Sequence, residues 1–394
     1  MGADAAKRAG FFADAKRGDA QAVINAIARA PELLHAKDEV NKWTALHILA
    51  RLSLTQPVQQ LLSLGADPEA RDAAFRSALH LAAMADASPT VAVGDTAAAA
   101  AAPPPPSRDK AIQATLRALL KKGARVTARD SFGMTALHHA ARAGNAKAVF
   151  FLLSLNTQMA LPRAPIEAET NAEERPLHVA AGGGHAETVR ALLQQGAHGG
   201  KTNYLGQTPL HLAVALGDSP EAIATVAELT KPEWRLDLSP PSSEGFTPLH
   251  VAAAGGHTKL VSSLLKARNI RRTGGGRSVD LDARDKRGRT AADVARAEGF
   301  EDVSSLIEGA SLAAAARKAR SPEEEERLLQ EAFAQTRLSS QRPSGGEGLH
   351  ATGGEGMMGV DLSEMPMPVD EGDEDEEADG DYGREDELEP NNTR

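Results

Sequence analysis

A six-residue phrase recurs along this chain and restricts the architectures open to it. It reads TALHIL from Thr44, SALHLA from Ser77, TALHHA from Thr135, RPLHVA from Arg175, TPLHLA from Thr208 and TPLHVA from Thr247, with a worn TAADVA from Thr290. Successive starts lie 33, 58, 40, 33, 39 and 43 residues apart, so a 33-residue unit with insertions accounts for all of them. A second phrase closes the unit. Leu61-Leu62 precedes Gly65-Ala66, Leu119-Leu120 precedes Gly123-Ala124, and Leu192-Leu193 precedes Gly196-Ala197. One such unit is too small to bury its apolar side alone, so the copies must stack.

A 33-residue unit that opens on Thr-Pro-Leu-His and closes on a Leu pair with Gly-Ala resembles the ankyrin repeat. The resemblance spans residues 10–310. It implies an all-α (helical repeat) solenoid of stacked helix-turn-helix units with protruding loops. The tail that follows is acidic and reads as disordered. Residues 1–37 read as an N-terminal capping repeat and 38–310 as seven units, with an Ala/Pro insertion near 88–109. Residues 311–338 read as a C-terminal helical extension and 339–394 as the tail. In the cap, Phe11 to Leu34 carries two helical patterns around the turn Gly18-Asp19.

Within each unit the residues have mechanical roles. Thr44, Thr135, Thr208 and Thr247 stand where a helix N-cap would accept a hydrogen bond from an orphan N–H. Pro209 and Pro248 follow at the first helical position, where a missing N–H costs nothing. Leu46, Leu79, Leu137, Leu177, Leu210 and Leu249 then point into the stack, and Ala pairs such as Ala140-Ala141 let helices approach. The fourth unit departs from the pattern: Arg175 replaces the cap Thr and Gly182-Gly183-Gly184 ends the first helix. A glycine inside a helix costs about 1 kcal/mol against Ala, which makes this the softest joint. Past Gly309, Ser321-Pro322-Glu323-Glu324 reads as a capping box for a helix carrying Leu329 and Phe333.

Composition removes several function classes. The chain has no cysteine, hence no disulfide, thiol nucleophile or thiolate metal site. No apolar run is long enough to span a membrane, and no signal-peptide core opens the sequence. A soluble monomer in the cytoplasm, the nucleus or both is the expectation. Met1-Gly2 suggests myristoylation, but Ala6 stands where that motif takes Ser or Thr.

Histidine invites a catalytic or metal reading, with twelve copies. Six of them (His47, His80, His138, His178, His211 and His250) fill one slot of the repeat, and a slot fixed by a repeat needs no ligand to explain it. Gly274-Gly275-Gly276-Arg277-Ser278 lacks the lysine and spacing of a phosphate loop. Lys147-Ala148-Val149-Phe150-Phe151 imitates a phosphatase-docking peptide, yet Val149, Leu152 and Leu153 occupy core slots, so the segment should be buried. No enzyme activity, cofactor or metal is expected.

Surface is what remains. The ankyrin resemblance implies that a partner protein contacts the loop tips before each cap and the exposed end of the first helix, in a concave groove. Carried over unit by unit, this selects Trp43 and Arg51, then Phe132, Met134 and Arg142, then Tyr204 and Gln207, then Phe246, and finally Arg287 and Arg289. These residue types anchor interfaces. Trp43 and Phe246 have a competing role, since a large side chain before the cap can pack between repeats. Charge adds a second element. The net charge is −10, but residues 370–389 hold thirteen acids against one Arg, which leaves about +2 for the rest. Residues 266–289 carry nine bases and three acids. The acidic run suits a basic partner or the basic loops, while direct nucleic-acid binding is not expected. The readings that follow are an adaptor, a masking inhibitor or chaperone of a basic partner, or a non-catalytic subunit of a ligase, phosphatase or proteasome-assembly complex.

Overall fold

The computed structural model describes residues 2–85, 108–155, 163–271, 279–316, 327–331 and 334. Most of the Ala/Pro insertion, the Ser321 capping box, Phe333 and the acidic tail lie outside these residues. The described helices begin with α1 (Gly2–Arg17) and α2 (Ala20–Arg29). Seven pairs follow: α3 (Ala45–Arg51) and α4 (Thr55–Ser63), α5 (Ala78–Ala83) and α6 (Arg108–Lys121), α7 (Ala136–Arg142) and α8 (Ala146–Ser154), α9 (Pro176–Gly182) and α10 (Ala186–Gln194). The last three are α11 (Pro209–Val214) and α12 (Pro220–Leu229), α13 (Pro248–Ala254) and α14 (Thr258–Arg271), α15 (Ala291–Ala297) and α16 (Glu301–Ala316). No strand occurs among the described residues. Helix α16 runs through position 310, where the sequence had suggested the repeats end.

Two helical layers result. The first helices pack on one another in series, α1 on α3, α3 on α5, and so on to α15. The second helices form a parallel series from α2 to α16. Leu46, Leu79, Leu137, Leu177, Leu210 and Leu249 are all buried between the layers, as the repeat pattern requires. Each such Leu contributes about 1.5–3 kcal/mol, so stability is spread along the array. Phe11, Phe12, Val23 and Ile27 close the N-terminal end. The extra residues of the fifth unit fold down through a 3-10 turn at Pro232–Trp234, with the Trp234 indole donating to the Glu228 carbonyl and Leu238 fully buried.

The repeated histidine joins one unit to the next. Its Nδ1 accepts the backbone N–H of the cap residue, as in Thr44 N to His47 Nδ1 at 3.2 Å and Thr208 N to His211 Nδ1 at 3.1 Å. Because Nδ1 accepts, the proton sits on Nε2, which donates to a carbonyl in the following unit. These acceptors are Arg76, Ala128, Glu174, Gln207, Phe246 and Arg289, at 2.9–3.2 Å. The cap hydroxyl of Thr44, Ser77, Thr135, Thr208 and Thr247 then donates to the same Nδ1. Each of these caps is a reciprocal capping box: the cap hydroxyl faces the N–H of the third helical residue, as expected, and the histidine ring accepts from the cap's own N–H. The bond to the hydroxyl is shortest at the caps of the last two units, where Thr247 Oγ1 takes the His250 N–H at 3.4 Å and Thr290 Oγ1 takes the Asp293 N–H at 3.3 Å. In the seventh unit Asp293 replaces the histidine and accepts from the Thr290 N–H at 2.9 Å. A carboxylate completes that cap without presenting a donor to a further unit.

Candidate functional site

Before each cap the chain makes a tight tip, and one acceptor at its base holds it. Asp72 Oδ1 accepts from the N–H groups of Ala74 and Arg76, Asp130 Oδ1 from Phe132 and Met134, and Asp285 Oδ1 from Arg287 and Arg289. Asp38, Thr170 and Asn203 serve their own units in the same way. Backbone bonds then tie each tip to the next. They run from Ala73 N to Asn41 O, Ser131 N to Ala74 O, Asn171 N to Phe132 O, Tyr204 N to Ala172 O, Ser243 N to Leu205 O and Lys286 N to Glu244 O. The tips are therefore one continuous, rigid row.

Position within the tip decides which side chains are free. The residue directly before the cap turns inward. Trp43 is buried, with its indole N–H 3.0 Å from Asp72 Oδ2 and the Arg51 guanidinium 5.4 Å from its ring centre. Met134 is also buried. Arg289 spends its guanidinium on Asp285, Nε to Oδ2 at 2.9 Å. Gln207 is half-buried beside Asn203, and half-buried Phe246 tilts against its own unit's His250, ring centres 6.0 Å apart. These five fill the same slot as Arg76, which pairs with Asp72 at 2.9 Å. Met134 and Trp43 are therefore packing residues rather than open anchors, because both side chains are buried beneath the tips.

The residues farther out on the tips are exposed. Phe132 and Tyr204 are 65% and 60% exposed, and Val40 and Leu205 join them. Arg51, Arg142 and Arg287 also face solvent. Sequence reasoning missed Phe75, which is 62% exposed on the second tip. It occupies the second position before the cap, where the backbone is left-handed in every unit. Gly133, Gly206, Gly245 and Gly288 fill that position at φ from 70° to 81°, whereas Lys42, Phe75 and Glu173 sit there at φ 58°, 61° and 56°, and Phe75 is the one bulky apolar side chain among them. A bulky residue at positive φ costs about 1–2 kcal/mol, so the second tip carries strain to display an aromatic ring. Aligning the second position before each cap would have exposed it in the sequence. The row thus presents Val40, Phe75, Phe132, Tyr204 and Leu205 as apolar points and ends on exposed Lys286 and Arg287.

Electrostatics beneath the tips is quiet. Burial lowers the pKa of all six repeat histidines, to about 3 at His80 and about 4 at His138 and His178. They are neutral donors, not acid–base groups. Among the described residues no three His, Asp or Glu side chains converge as metal ligands. No helix among them is long and apolar enough to cross a membrane.

Comparison with known proteins bears on the same residues. Models described as ankyrin repeats match residues 157–231, 108–153, 41–73 and 244–273. Alpha-latrotoxin-Lt1a of Latrodectus tredecimguttatus is 34% identical over 143 residues, 36% of this chain and 10% of that protein. A homolog of transient receptor potential cation channel subfamily A member 1 from Caenorhabditis elegans is 31% identical over 188 residues, 48% of this chain and 14% of that protein. Mouse Rabankyrin-5 is 30% identical over 155 residues, 38% of this chain and 12% of that protein. The chain thus matches only about a tenth of each relative's length. The ankyrin repeat domain of Bcl-3, a member of the IkappaB family, aligns at 22% identity and a TM-score of 0.47. That alignment covers 66% of this chain and 96% of that one.

Proposed function

We propose, for a chain that belongs to the ankyrin-repeat family, that it is a non-catalytic adaptor whose tip row holds a partner protein. Phe75 carries the reading. The inward-facing slot at Arg76 is the next residue, and glycine serves the same backbone position in four other units and polar Lys42 and Glu173 in two, yet here an aromatic ring is held in solvent at positive φ. Strain of that kind is retained where it serves a site. Phe132, Tyr204 and Leu205 extend the surface, with Arg51 and Arg142 at the ends of first helices and Arg287 at the last tip. Rigid aromatic points lose little entropy on binding, which suits them as anchors. The adaptor is intracellular and monomeric in this reading.

The acidic run at residues 370–389 supports a second reading, in which a basic partner is masked by charge. Affinity capture with the full chain, with residues 1–338, and with Phe132→Ser plus Tyr204→Ser separates the two. The adaptor reading expects a partner that survives truncation and is lost from the double variant. A basic partner lost only on truncation supports masking, and a partner indifferent to both changes removes the tip row from the account.

A further inference from the structure

The outer face of the second-helix layer carries a feature that the tip row does not use. On α6, Lys110, Ala114, Arg117 and Lys121 recur at spacings of four, three and four, so they form one stripe about 16 Å long. The three cations are exposed, and no described carboxylate lies within ion-pair distance of them. The neighbouring α8, which packs on α6, carries Phe150 at 53% exposure. Two contacts fix the alignment: Lys147 pairs with Asp109 near the start of α6, and the Arg117 guanidinium lies 5.4 Å from the Phe151 ring centre. The segment from Lys147 to Phe151 is therefore only partly buried. Val149 and Phe151 enter the core, while Lys147 and Phe150 face out.

Neighbouring second helices are different. The exposed side chains of α4 are Gln56, Gln59, Gln60 and Ser63, without charge. On α10, Arg190 is committed to Glu228 at 2.8 Å and Glu187 is exposed. On α12 the outward residues are Glu221, Ala224 and Ala227. Uncompensated positive charge beside an exposed aromatic is thus confined to α6 and α8 within this stretch. A wide anionic surface such as a bilayer would also meet Glu187 and Glu221, which oppose it. A narrow ligand lying along α6 meets only the cations and Phe150.

We infer that α6 and α8 form a second docking surface, for an acidic segment of a partner protein that carries an apolar side chain to cover Phe150. Carboxylates along the segment would meet Lys110, Arg117 and Lys121 in turn, which sets register and speeds encounter. The inference rests on the adaptor reading, to which it adds the second surface that bridging two proteins requires. It concerns a different helical layer from the tips.

The test pans a library of random peptides of about twelve residues, long enough to span the stripe as a helix, against the full chain. Counter-selection uses the variant Lys110→Glu, Arg117→Glu, Lys121→Glu, with Arg117→Gln as a milder substitute should the triple change disturb the thermal melt. The expected clones are rich in Asp and Glu with at least one Leu, Ile or Phe, and bind the charge-reversed variant at least about tenfold more weakly. They lose affinity in Phe150→Ser and keep it in Phe132→Ser, so tip-row failure is read separately. Clones without acids, or clones indifferent to charge reversal, overturn the inference. So does retention of phosphatidylserine vesicles, with the same dependence on Lys110, Arg117 and Lys121, in the absence of any peptide.

Discussion

Asp130 Oδ2 lies 2.8 Å from Nε2 of His139, and both side chains are almost wholly buried. The pair exists because of a third residue. In the second and seventh units Asp72 and Asp285 have their spare oxygens neutralised by Arg76 and Arg289 at the slot before the cap. The third unit has Met134 in that slot, so the compensating group comes from the helix instead. Burial opposes ionisation of Asp130, but hydrogen bonds from His139 and from the Met134 and Phe132 N–H groups hold its carboxyl below the usual range. Removing His139 leaves a buried carboxylate oxygen without a partner.

His139→Leu is accordingly expected to destabilise the array by about 3 kcal/mol. Adding Met134→Arg supplies the cation that the other two units use and should restore a large part of that loss. Urea unfolding of the two single variants and the double variant measures the coupling. Additive effects would show that Met134 and His139 do not share the task.

Acid should loosen the stack well before its carboxylates protonate. An unfolded histidine takes up a proton near pH 6.5, whereas folded His80 resists to about 3 and folded His138 and His178 to about 4. Between those limits the unfolded chain binds more protons. Stability is therefore complete above about pH 6.5 and falls below it, by about 1.4 kcal/mol per pH unit for each histidine. Asp72, Asp130 and Asp285, held low by hydrogen bonds that outweigh their burial, add to the loss only at lower pH. Urea midpoints at pH 7.5 and 5.0 check this, and equal midpoints would contradict it.

The second tip should show a trade between stability and binding. Phe75→Gly relieves a left-handed backbone strain and is expected to stabilise the fold by about 1 kcal/mol. It also deletes an exposed ring of the partner surface, so binding should weaken as the melting temperature rises. A variant that loses stability would mean that the ring packs usefully where it stands.

Glycine in the fourth unit divides into two kinds. Gly182 lies within α9, and a methyl group there would meet Leu212 Cβ at 3.6 Å, an ordinary contact. Gly184 is left-handed at φ 74°, and the same methyl would stand 3.0 Å from Glu221 Cβ. Gly182→Ala should stabilise by about 0.5–1 kcal/mol and Gly184→Ala should destabilise. Thermal melts decide it.

Much of this was open to reading in the sequence. The Thr-x-x-His phrase fixed the position of each first helix, because a cap and the ring three residues later act within one turn. Leu46 through Leu249 followed from their place in that turn. The tip residues were harder. Trp43, Met134 and Phe246 look like binding anchors by type, yet they stand one residue before a cap, where the side chain turns inward under the tips. Phe75 looks unremarkable in Ala73-Ala74-Phe75-Arg76 until its backbone sign is known. The His139–Asp130 pair depends on an absence, the missing arginine at position 134, which only contact between tip and helix makes visible.

Site-specific photo-cross-linking tests the tip row most directly. The full chain would carry p-benzoylphenylalanine in place of Phe132, and in parallel in place of Phe300, which is 39% exposed at the turn before α16. In cells the account predicts one dominant adduct from position 132 that is absent from position 300 and disappears when Tyr204→Ser is added. No adduct at position 132, or the same adduct from both positions, would contradict it.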